Sequence, residues 1–143
     1  MNQSTIIVDL DGTIAEDRWR RHYVREDIVD FFTRFHAYHS LSGFDQLVNQ
    51  QLLLPYHNIV ICTSRPEHYR TLTEEWLRQK GVRWTQLLMR PKCNHQPSAV
   101  LKQQHLQQLL RQGLHIVCCY DDRPDIIKMY KNNEIEAQLV RLP

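Results

Sequence analysis

The chain has 143 residues, of which 42% are apolar and 24% are charged, and its formal net charge is +2. This composition predicts one globular domain with a single core, and no window is long and apolar enough to predict a membrane span. The first residues, MNQSTIIVDL, lack the basic start and the cleavage site of a secretory signal, so we expect a cytoplasmic protein without a membrane partner.

The first half of the chain predicts two strands separated by a helix. β-Branched apolar runs predict buried strands at residues 4 to 9 and 58 to 64. Between them, apolar residues at helical spacing predict a helix over residues 26 to 38. The apolar face of this helix comprises Ile28, Phe31, Phe32 and Phe35. The stretch from 39 to 57 fits a turn, a short helix and a loop.

The second half of the chain continues to alternate helices with strands. The predicted helices cover residues 66 to 80, 98 to 112 and 124 to 132. The predicted strands cover residues 84 to 90, 114 to 120 and 137 to 142. Pro66 suits the first position of its helix, and Ser98 can cap the next one. Gly81 and Gly113 are placed to end these two helices.

This alternation predicts an α/β fold, a Rossmann-like parallel sheet with helices on both faces. Ligands of such sheets bind at the carboxyl ends of the strands. Three predicted strands end in polar side chains, which are Asp9, Thr63 and the pair Asp121 and Asp122. We therefore expect these side chains to meet in one cleft.

The aspartates near the strand ends predict a metal site. Asp9 and Asp11 lie on the same side of an extended chain. Neighbouring carboxylates are costly unless they share a proton or a metal ion. Together with Asp121 and Asp122 they form a set of oxygen ligands that favours a hard divalent cation, most simply Mg²⁺.

Other polar groups near these strand ends suit phosphoryl transfer. One aspartate of the first pair can act as a nucleophile and the other as a general acid and base. Gly12 allows a tight turn that exposes backbone N–H groups to an anion. Thr63 offers a hydroxyl group, and Lys102 supplies a fixed positive charge from its helix. Phosphoryl transfer needs such a nucleophile, metal, proton carrier and neutralising donors.

The motifs VDLDGT, ICTSR, a helical lysine and YDDR follow one another over nearly the whole chain. In this order they resemble the four-motif signature of the haloacid dehalogenase (HAD) superfamily, which implies a HAD-like phosphatase. The resemblance implies that Asp9 attacks phosphorus to form an aspartyl-phosphate, and that Asp11 protonates the leaving group and then activates water. It implies that Thr63 is the hydroxyl-bearing residue of the second motif and that Lys102 is the lysine of the third motif. Lys92 is an alternative to Lys102. The implied Mg²⁺ ligands are Asp9, Asp121, Asp122 and the backbone carbonyl of Asp11.

A narrower resemblance concerns the substrate. TSRPEHYRTLTEEWL, LLMRP and YDDRPDIIKMY are most similar to the 3′-phosphatase domain of phage polynucleotide kinase/phosphatases. This similarity implies a phosphorylated nucleic-acid end or a nucleotide as the partner. The candidate substrate-binding residues are Arg65, Arg90, Arg123, Gly12, Ser64, Arg18 and Arg21. The sequence contains no GxxxxGK[ST] loop, so we expect no kinase activity.

Residues 1 to 143 are expected to form one domain with a small cap insert at residues 14 to 57. A small cap predicts an open site that admits a polymer end or a nucleotide. The insert contains the segment RWRRHYVR, whose basic residues are Arg18, Arg20 and Arg21 and whose aromatic residues include Trp19 and Tyr23. We expect the arginines to contact an anion, whereas the aromatic residues fit base stacking and core packing equally well.

Three functions are compatible with the sequence. The first is Mg²⁺-dependent removal of 3′-phosphates from nucleic-acid ends. The second is a 5′-nucleotidase or small-metabolite phosphatase. The third is an inactive HAD-like binding module, which is disfavoured because a module without catalysis has no physical reason to keep its carboxylates clustered.

Overall fold

A five-stranded parallel sheet forms the centre of the computed structural model, which describes residues 3–24, 31–55 and 57–143. In chain order, the strands are β1 (Ser4–Val8), β2 (Ala15–Glu16), β3 (Gln46–Leu47), β4 (Asn58–Pro66), β5 (Gln86–Arg90), β6 (His115–Asp121) and β7 (Ala137–Leu139). The helices are α1 (Phe31–Ser40), α2 (Arg70–Gln79), α3 (Ser98–Arg111) and α4 (Pro124–Asn132). The order across the sheet is β5-β4-β1-β6-β7, and all neighbouring strands are parallel. The predicted α/β Rossmann-like architecture is confirmed.

Both faces of the sheet bury apolar side chains, which explains the continuous apolar runs of the strands. On one face, Val8 of β1 belongs to a core cluster with Trp76 of α2. On the other face, Ile7 of β1 belongs to a second cluster with Leu106 of α3 and Ile126 of α4. Successive residues of β1 therefore anchor two cores, and the carboxyl end of this strand is fixed between them.

Between β1 and β4 the chain forms a small structure beside the sheet. β2 and β3 pair as a short antiparallel ribbon, and a 3-10 helix at Arg18–Val24 and α1 lie between them in sequence. Further 3-10 turns occur at Leu41–Phe44 and Gln50–Leu52. These elements fall within the predicted insert at 14 to 57.

The predicted helix over 26 to 38 is helical where the structure describes it, and it continues to Ser40. Its first part, including Ile28, and the side chain of Phe31 lie outside the described residues. Phe32 is 80% exposed and does not belong to an apolar face. Phe35 is half-buried, and it lines a cleft rather than a core.

One predicted helix start and one predicted helix cap are wrong. Pro66 is extended and pairs with Arg90 of β5, so β4 continues through it and α2 begins only at Arg70, after a 3-10 turn. Ser98 is the first residue of α3, because Pro97 takes the capping position. The hydroxyl of Ser98 instead accepts a hydrogen bond from Ser64 Oγ at 2.8 Å. These residues therefore join β4 to α3 at the carboxyl edge of the sheet.

Candidate active site

Asp9 lies directly after β1, at the carboxyl end of the central strand. Its backbone N–H donates to the carbonyl of Tyr120 in β6 at 3.0 Å. Its carboxylate accepts hydrogen bonds from Thr13 Oγ1 at 3.1 Å and from Lys102 Nζ at 2.8 Å. The residue is 6% exposed. Strand pairing and two side-chain donors thus fix both the backbone and the carboxylate of Asp9.

Lys102 reaches the same place from α3. Its Nζ donates to Asp9 Oδ1 and, at 2.5 Å, to Asp121 Oδ2. Burial alone lowers the pKa of Lys102, but the charges of Asp9 and Asp121 outweigh burial and raise this pKa above its ordinary value. Lys102 is therefore a buried cation between two carboxylates. Lys92, the alternative, is exposed and does not line the cleft.

Asp9, Asp121 and Asp122 form a carboxylate cluster. Each offers an oxygen, and these atoms lie within 4.8 Å of one another. Burial, and then the charge of Asp121, raise the pKa of Asp9 well above its ordinary value and that of Asp122 to about 6. The single charge of Lys102 does not offset this repulsion. An all-oxygen set with excess negative charge fits a hard divalent cation.

The carboxylate of Asp11 points elsewhere, toward two buried arginines. Arg65 donates to it through Nε at 3.0 Å and Nη2 at 2.6 Å, and Arg20 donates through Nη2 at 2.6 Å. Burial raises the pKa of Asp11, but the charge and hydrogen bonds of Arg65, and then the charge of Arg20, hold it well below its usual range. Asp11 is therefore an ion-paired carboxylate.

Arg20 lies inside the protein rather than on a basic surface. Its side chain is fully buried, and its guanidinium donates to Asp45 Oδ1 at 2.9 Å and Asp45 Oδ2 at 2.6 Å. Its Nη1 donates to the carbonyl of Tyr38, and the guanidinium also lies 4.3 Å from the centre of the Tyr38 ring. The predicted anion contact of Arg20 is thus internal, because Asp11 and Asp45 supply the negative charges.

Gly12 shapes the turn between the two aspartates. Its φ is +84°, and a Cβ at this position would lie 2.3 Å from Asp122 Oδ2. Its N–H donates to the carbonyl of Ala15 at 3.0 Å. Glycine is therefore needed both for the backbone conformation and for the close approach of Asp122.

A cleft of about 390 Å³ opens above these groups. The residues that line it include Asp9, Asp11, Asp122, Thr63, Ser64, Ser98 and Lys102. A larger cavity of about 520 Å³ lies at the amino ends of the strands, beside Trp84 and Lys80, and contains none of these groups. The carboxylates, hydroxyls and lysine described above therefore meet at the smaller cleft. This cleft lies at the carboxyl edge of the sheet, where ligands of parallel sheets bind.

The predicted substrate-binding arginines differ in whether they line the cleft and in whether their guanidinium groups are bonded within the protein. Arg65 is buried in its pair with Asp11, and Arg90 donates to the carbonyls of Ser64 and Gln96, which ties β5 to the loop before α3. Both line the cleft, but these bonds make them structural donors. Arg18 pairs with Glu16 and lies outside the cleft lining.

Of the predicted substrate-binding arginines, Arg21 and Arg123 remain at the cleft with side chains that are partly and mostly accessible, respectively. Arg123 lines it while pairing with Asp125. Arg21 lines it while donating to Asp17 Oδ1 at 2.7 Å, and its Nη2 lies 3.1 Å from the position a Cβ on Gly12 would occupy. Arg21 therefore points to the edge of the carboxylate cluster.

The sequence analysis misses the residues that α1 and its neighbours bring to the cleft. These are Asp17, Phe35, Tyr38 and His39. Asp17 is buried and accepts from Tyr38 Oη at 2.6 Å, so that α1 is tied to the segment that carries Arg21. No local pattern reveals these roles, since they depend on how the insert folds over the strand ends.

Among the described residues, none of the helices is long and apolar enough to cross a membrane.

Comparison with known proteins identifies a family. The family model of the polynucleotide kinase PNKP phosphatase domain matches residues 3–141, which is nearly the whole chain. No curated protein matches the sequence.

Solved structures share the fold at low sequence identity. A chain in the Pnkp1/Rnl/Hen1 RNA repair complex is 19% identical with a TM-score of 0.79, over 97% of this chain and 42% of that one. A haloacid dehalogenase-like family hydrolase from Streptococcus pneumoniae is 13% identical with a TM-score of 0.62, over 94% and 83% of the two chains. A HAD-superfamily hydrolase of subfamily IA from Geobacter sulfurreducens is 11% identical with a TM-score of 0.61, over 99% and 89%. This chain thus has the HAD-like fold, and it spans less than half the length of the repair-complex chain.

Proposed function

The chain belongs to the family of polynucleotide kinase PNKP phosphatase domains, within the HAD superfamily, and we propose that it removes 3′-phosphates from nucleic-acid ends through an aspartyl-phosphate. The family makes it a phosphatase. The observation that carries the finer proposal is the placement of Asp9, which is held by Lys102 and Thr13 at the floor of a cleft lined by polar donors.

We assign Mg²⁺ to the carboxylate cluster. Asp9, Asp121 and Asp122 would hold the ion, together with the backbone carbonyl of Asp11. When bound, it supplies positive charge that neutralises the carboxylates and the substrate phosphate. The excess negative charge at these three residues supports this assignment.

Asp9 is the proposed nucleophile. Its carboxylate oxygen attacks phosphorus while the bond to the substrate oxygen breaks, and that oxygen keeps the electron pair and takes a proton from Asp11. Water then attacks the phosphorus of the aspartyl-phosphate and gives a proton to Asp11. This attack breaks the bond between phosphorus and the Asp9 oxygen, so inorganic phosphate is released and the Asp9 carboxylate is restored. Lys102 and the hydroxyl of Thr63 neutralise charge on the transferring group.

The arginine pair imposes a condition on Asp11. While Arg20 and Arg65 both donate to it, its pKa lies well below its usual range and it carries no proton to give. Donation to the leaving group therefore requires the carboxyl group of Asp11 to leave at least one of these guanidinium groups.

The remaining cleft donors suit the phosphate and its attached chain. Ser64 and Ser98 line the cleft next to Thr63 and face the phosphate in this proposal. The N–H groups of Gly12 and Thr13 already donate to the carbonyls of Ala15 and Leu10, so they are not assigned to the phosphate.

Arg21 and Arg123, whose side chains remain accessible at the cleft at least in part, contact the next phosphates of a nucleic-acid strand in this proposal. The insert at residues 14 to 57 acts as the small cap that carries Arg21.

A nucleic-acid end is favoured over a free nucleotide by the family match. The comparison structure that belongs to an RNA repair complex supports the same class of substrate. An open cleft with arginines at its rim suits a chain that must enter from outside and leave again.

The test is phosphate release, with and without Mg²⁺, from 3′-phosphorylated oligonucleotides, 3′-mononucleotides and 5′-mononucleotides. We expect release chiefly from oligonucleotide 3′ ends and only with the metal. A strong preference for 5′-mononucleotides would instead assign a nucleotidase. Asp9→Asn is the matched control, because it keeps the shape of the side chain and removes the nucleophile, so its release rate should fall to background while its circular dichroism spectrum remains that of the folded protein.

A further inference from the structure

Arg21 is held at the cleft by one buried carboxylate. Its Nε and Nη2 donate to Asp17 Oδ1 at 3.0 and 2.7 Å. Its Nη1 makes no hydrogen bond to any residue that the structure describes. The side chain of Arg21 is 31% exposed. One edge of the guanidinium is therefore anchored in the protein, while the other edge is left for a ligand.

Tyr38 of α1 fixes the carboxylate that anchors Arg21. Its hydroxyl donates to Asp17 Oδ2 at 2.6 Å, so the two oxygens of Asp17 have separate partners. Burial, followed by the charge of Asp11, raises the pKa of Tyr38, so its hydroxyl keeps the proton that it donates. The side chain of Asp17 is 4% exposed. Rotation of this carboxylate would therefore leave a buried hydrogen-bonding group without its partner, which is costly.

Tyr38 is itself fixed by Arg20. The Arg20 guanidinium lies 4.3 Å from the centre of the Tyr38 ring, and its Nη1 donates to the Tyr38 carbonyl at 2.9 Å. The backbone N–H of Arg20 donates to the carbonyl of Asp17 at 3.1 Å. Arg20 in turn donates to the carboxylate of Asp11. A continuous path of contacts thus connects Asp11, next to the proposed nucleophile, with the guanidinium of Arg21.

The guanidinium of Arg21 lies at the edge of the carboxylate cluster. The position that a Cβ on Gly12 would occupy is 3.1 Å from Arg21 Nη2 and 2.3 Å from Asp122 Oδ2. A guanidinium binds a phosphate through paired hydrogen bonds, so its orientation matters as well as its charge. An arginine that is already oriented loses less conformational entropy on binding than a mobile one does.

We propose that Tyr38 and Asp17 are positioning residues that orient Arg21 toward the last internucleotide phosphate of a 3′-phosphorylated strand. The inference rests on the proposed function, because that function places the terminal phosphate at Asp9 and the next phosphate at Arg21. A phosphate contact carries no information about the base. Tyr38 and Asp17 therefore make the enzyme favour a nucleic-acid end over a single nucleotide, without a preference for sequence.

The experiment uses two 3′-phosphorylated hexathymidylates that differ only in the last internucleotide linkage. One carries the natural phosphodiester there, and the other carries a methylphosphonate, which has a similar size and no charge. We expect the KM of the wild-type enzyme to be about tenfold lower for the phosphodiester, at similar kcat. Arg21→Gln, which keeps a donor for Asp17, should raise the KM for the phosphodiester about tenfold and leave the KM for the methylphosphonate unchanged.

Tyr38→Phe tests the positioning role, because it removes the hydroxyl group and keeps the ring. It should raise the KM for the phosphodiester about threefold, with kcat and the KM for the methylphosphonate unchanged. In the Arg21→Gln background it should have no further effect, since it acts through the guanidinium. An unchanged KM for the phosphodiester in Tyr38→Phe would overturn the inference. So would the same rise in both backgrounds, or an equal rise for both substrates.

Tyr69→Phe is the matched control, because the Tyr69 hydroxyl lies 2.9 Å from Nδ1 of His36 on the same helix α1. It should keep the wild-type ratio of the two KM values. A loss of this ratio in Tyr69→Phe would assign the effect to α1 as a whole and overturn the inference. Equal KM values for the two substrates with the wild-type enzyme would overturn it and leave the 3′-phosphatase proposal standing. Absence of phosphate release from both substrates would overturn the proposed function, and the inference with it.

Discussion

At the scale of single residues, the unusual feature is a buried group of two carboxylates and two guanidinium groups. Asp11 and Asp45 alternate with Arg20 and Arg65, and three of these four side chains are fully inaccessible to solvent. Arg20 Nη2 is shared, at 2.6 Å from each carboxylate. Such a group is stable only while its charges balance, because each uncompensated charge would remain in a medium of low dielectric constant.

Asp45→Asn tests this balance. It leaves Arg20 and Arg65 buried with Asp11 as their remaining carboxylate, so we expect the free energy of unfolding to fall by about 3 kcal/mol. Denaturant titration measures it. Glu74→Gln is the matched control, because Glu74 pairs with Arg70 and Arg78 near the surface, where loss of a pair costs less than about 1 kcal/mol. Equal losses in both variants would show that the buried group contributes no more than a surface pair.

At the scale of elements, the strand–turn unit from β1 through Gly12 builds the site. The strand fixes Asp9, and the turn brings Asp122 against the backbone where a side chain would otherwise lie. Two different constraints thus meet at Gly12, a positive φ and a close approach. Gly113 shares the first constraint but not the second, since its φ is +77° and a Cβ there would meet nothing within 4 Å.

Gly12→Ala and Gly113→Ala separate these constraints. Both introduce strain of about 1 kcal/mol from the left-handed backbone. Gly12→Ala should in addition displace Asp122 and lower phosphate release at least a hundredfold, whereas Gly113→Ala should keep full activity. Steady-state kinetics together with thermal unfolding of each variant checks this. Retained activity in Gly12→Ala would mean that Asp122 moves away without consequence.

The regular elements are the ones that the sequence predicts well. The apolar runs of β1, β4 and β6 are followed by Asp9, Thr63 and Asp121, so the carboxyl edge of the sheet and its cleft follow directly from the sequence, although β4 itself continues to Pro66. The insert is less predictable, because β2 and β3 have two residues each and show no periodic pattern. The burial of Arg20 depends on a carboxylate 25 residues away in the chain. Contacts of this kind are set by tertiary packing, which local patterns do not encode.

At the scale of the whole molecule, the carboxylate cluster couples metal binding to stability. A ligand that binds only the folded state adds about 2.7 kcal/mol when its concentration is a hundred times its Kd. We therefore expect Mg²⁺ to raise the Tm by several degrees relative to a chelator. Asp122→Asn should lose this rise and should itself unfold at a higher temperature than the wild type in chelator, because it removes a repelling charge. An unchanged response to Mg²⁺ in Asp122→Asn would exclude Asp122 as a ligand.

Acid stability depends on two buried histidines, His39 of α1 and His105 of α3. Burial lowers the pKa of His39 to about 3, and burial followed by the charge of Lys102 lowers that of His105 to about 4, against an ordinary value of 6.5. Between these values the unfolded chain binds protons that the folded chain does not, so both groups reduce stability as the pH falls from about 6.5 toward 4. The raised pKa of Asp122, about 6, acts in the opposite direction over the same range. Because these contributions oppose each other, the pH dependence of a single histidine variant is more informative than that of the wild-type protein alone.

His105→Gln isolates one of these contributions. Glutamine keeps a hydrogen-bond donor for the Met89 backbone, which accepts from His105, and it does not titrate. When the pH is lowered from 7 to 5, we expect this variant to lose less free energy of unfolding than the wild type does. Denaturant titration at both pH values measures this loss. His115→Gln is the matched control, because His115 is exposed and its replacement should leave the pH dependence unchanged. The same pH dependence in His105→Gln and in the wild type would contradict this prediction. The ring of His105 would then have to take up its proton in the folded state, and water would have to reach it between α3 and β5.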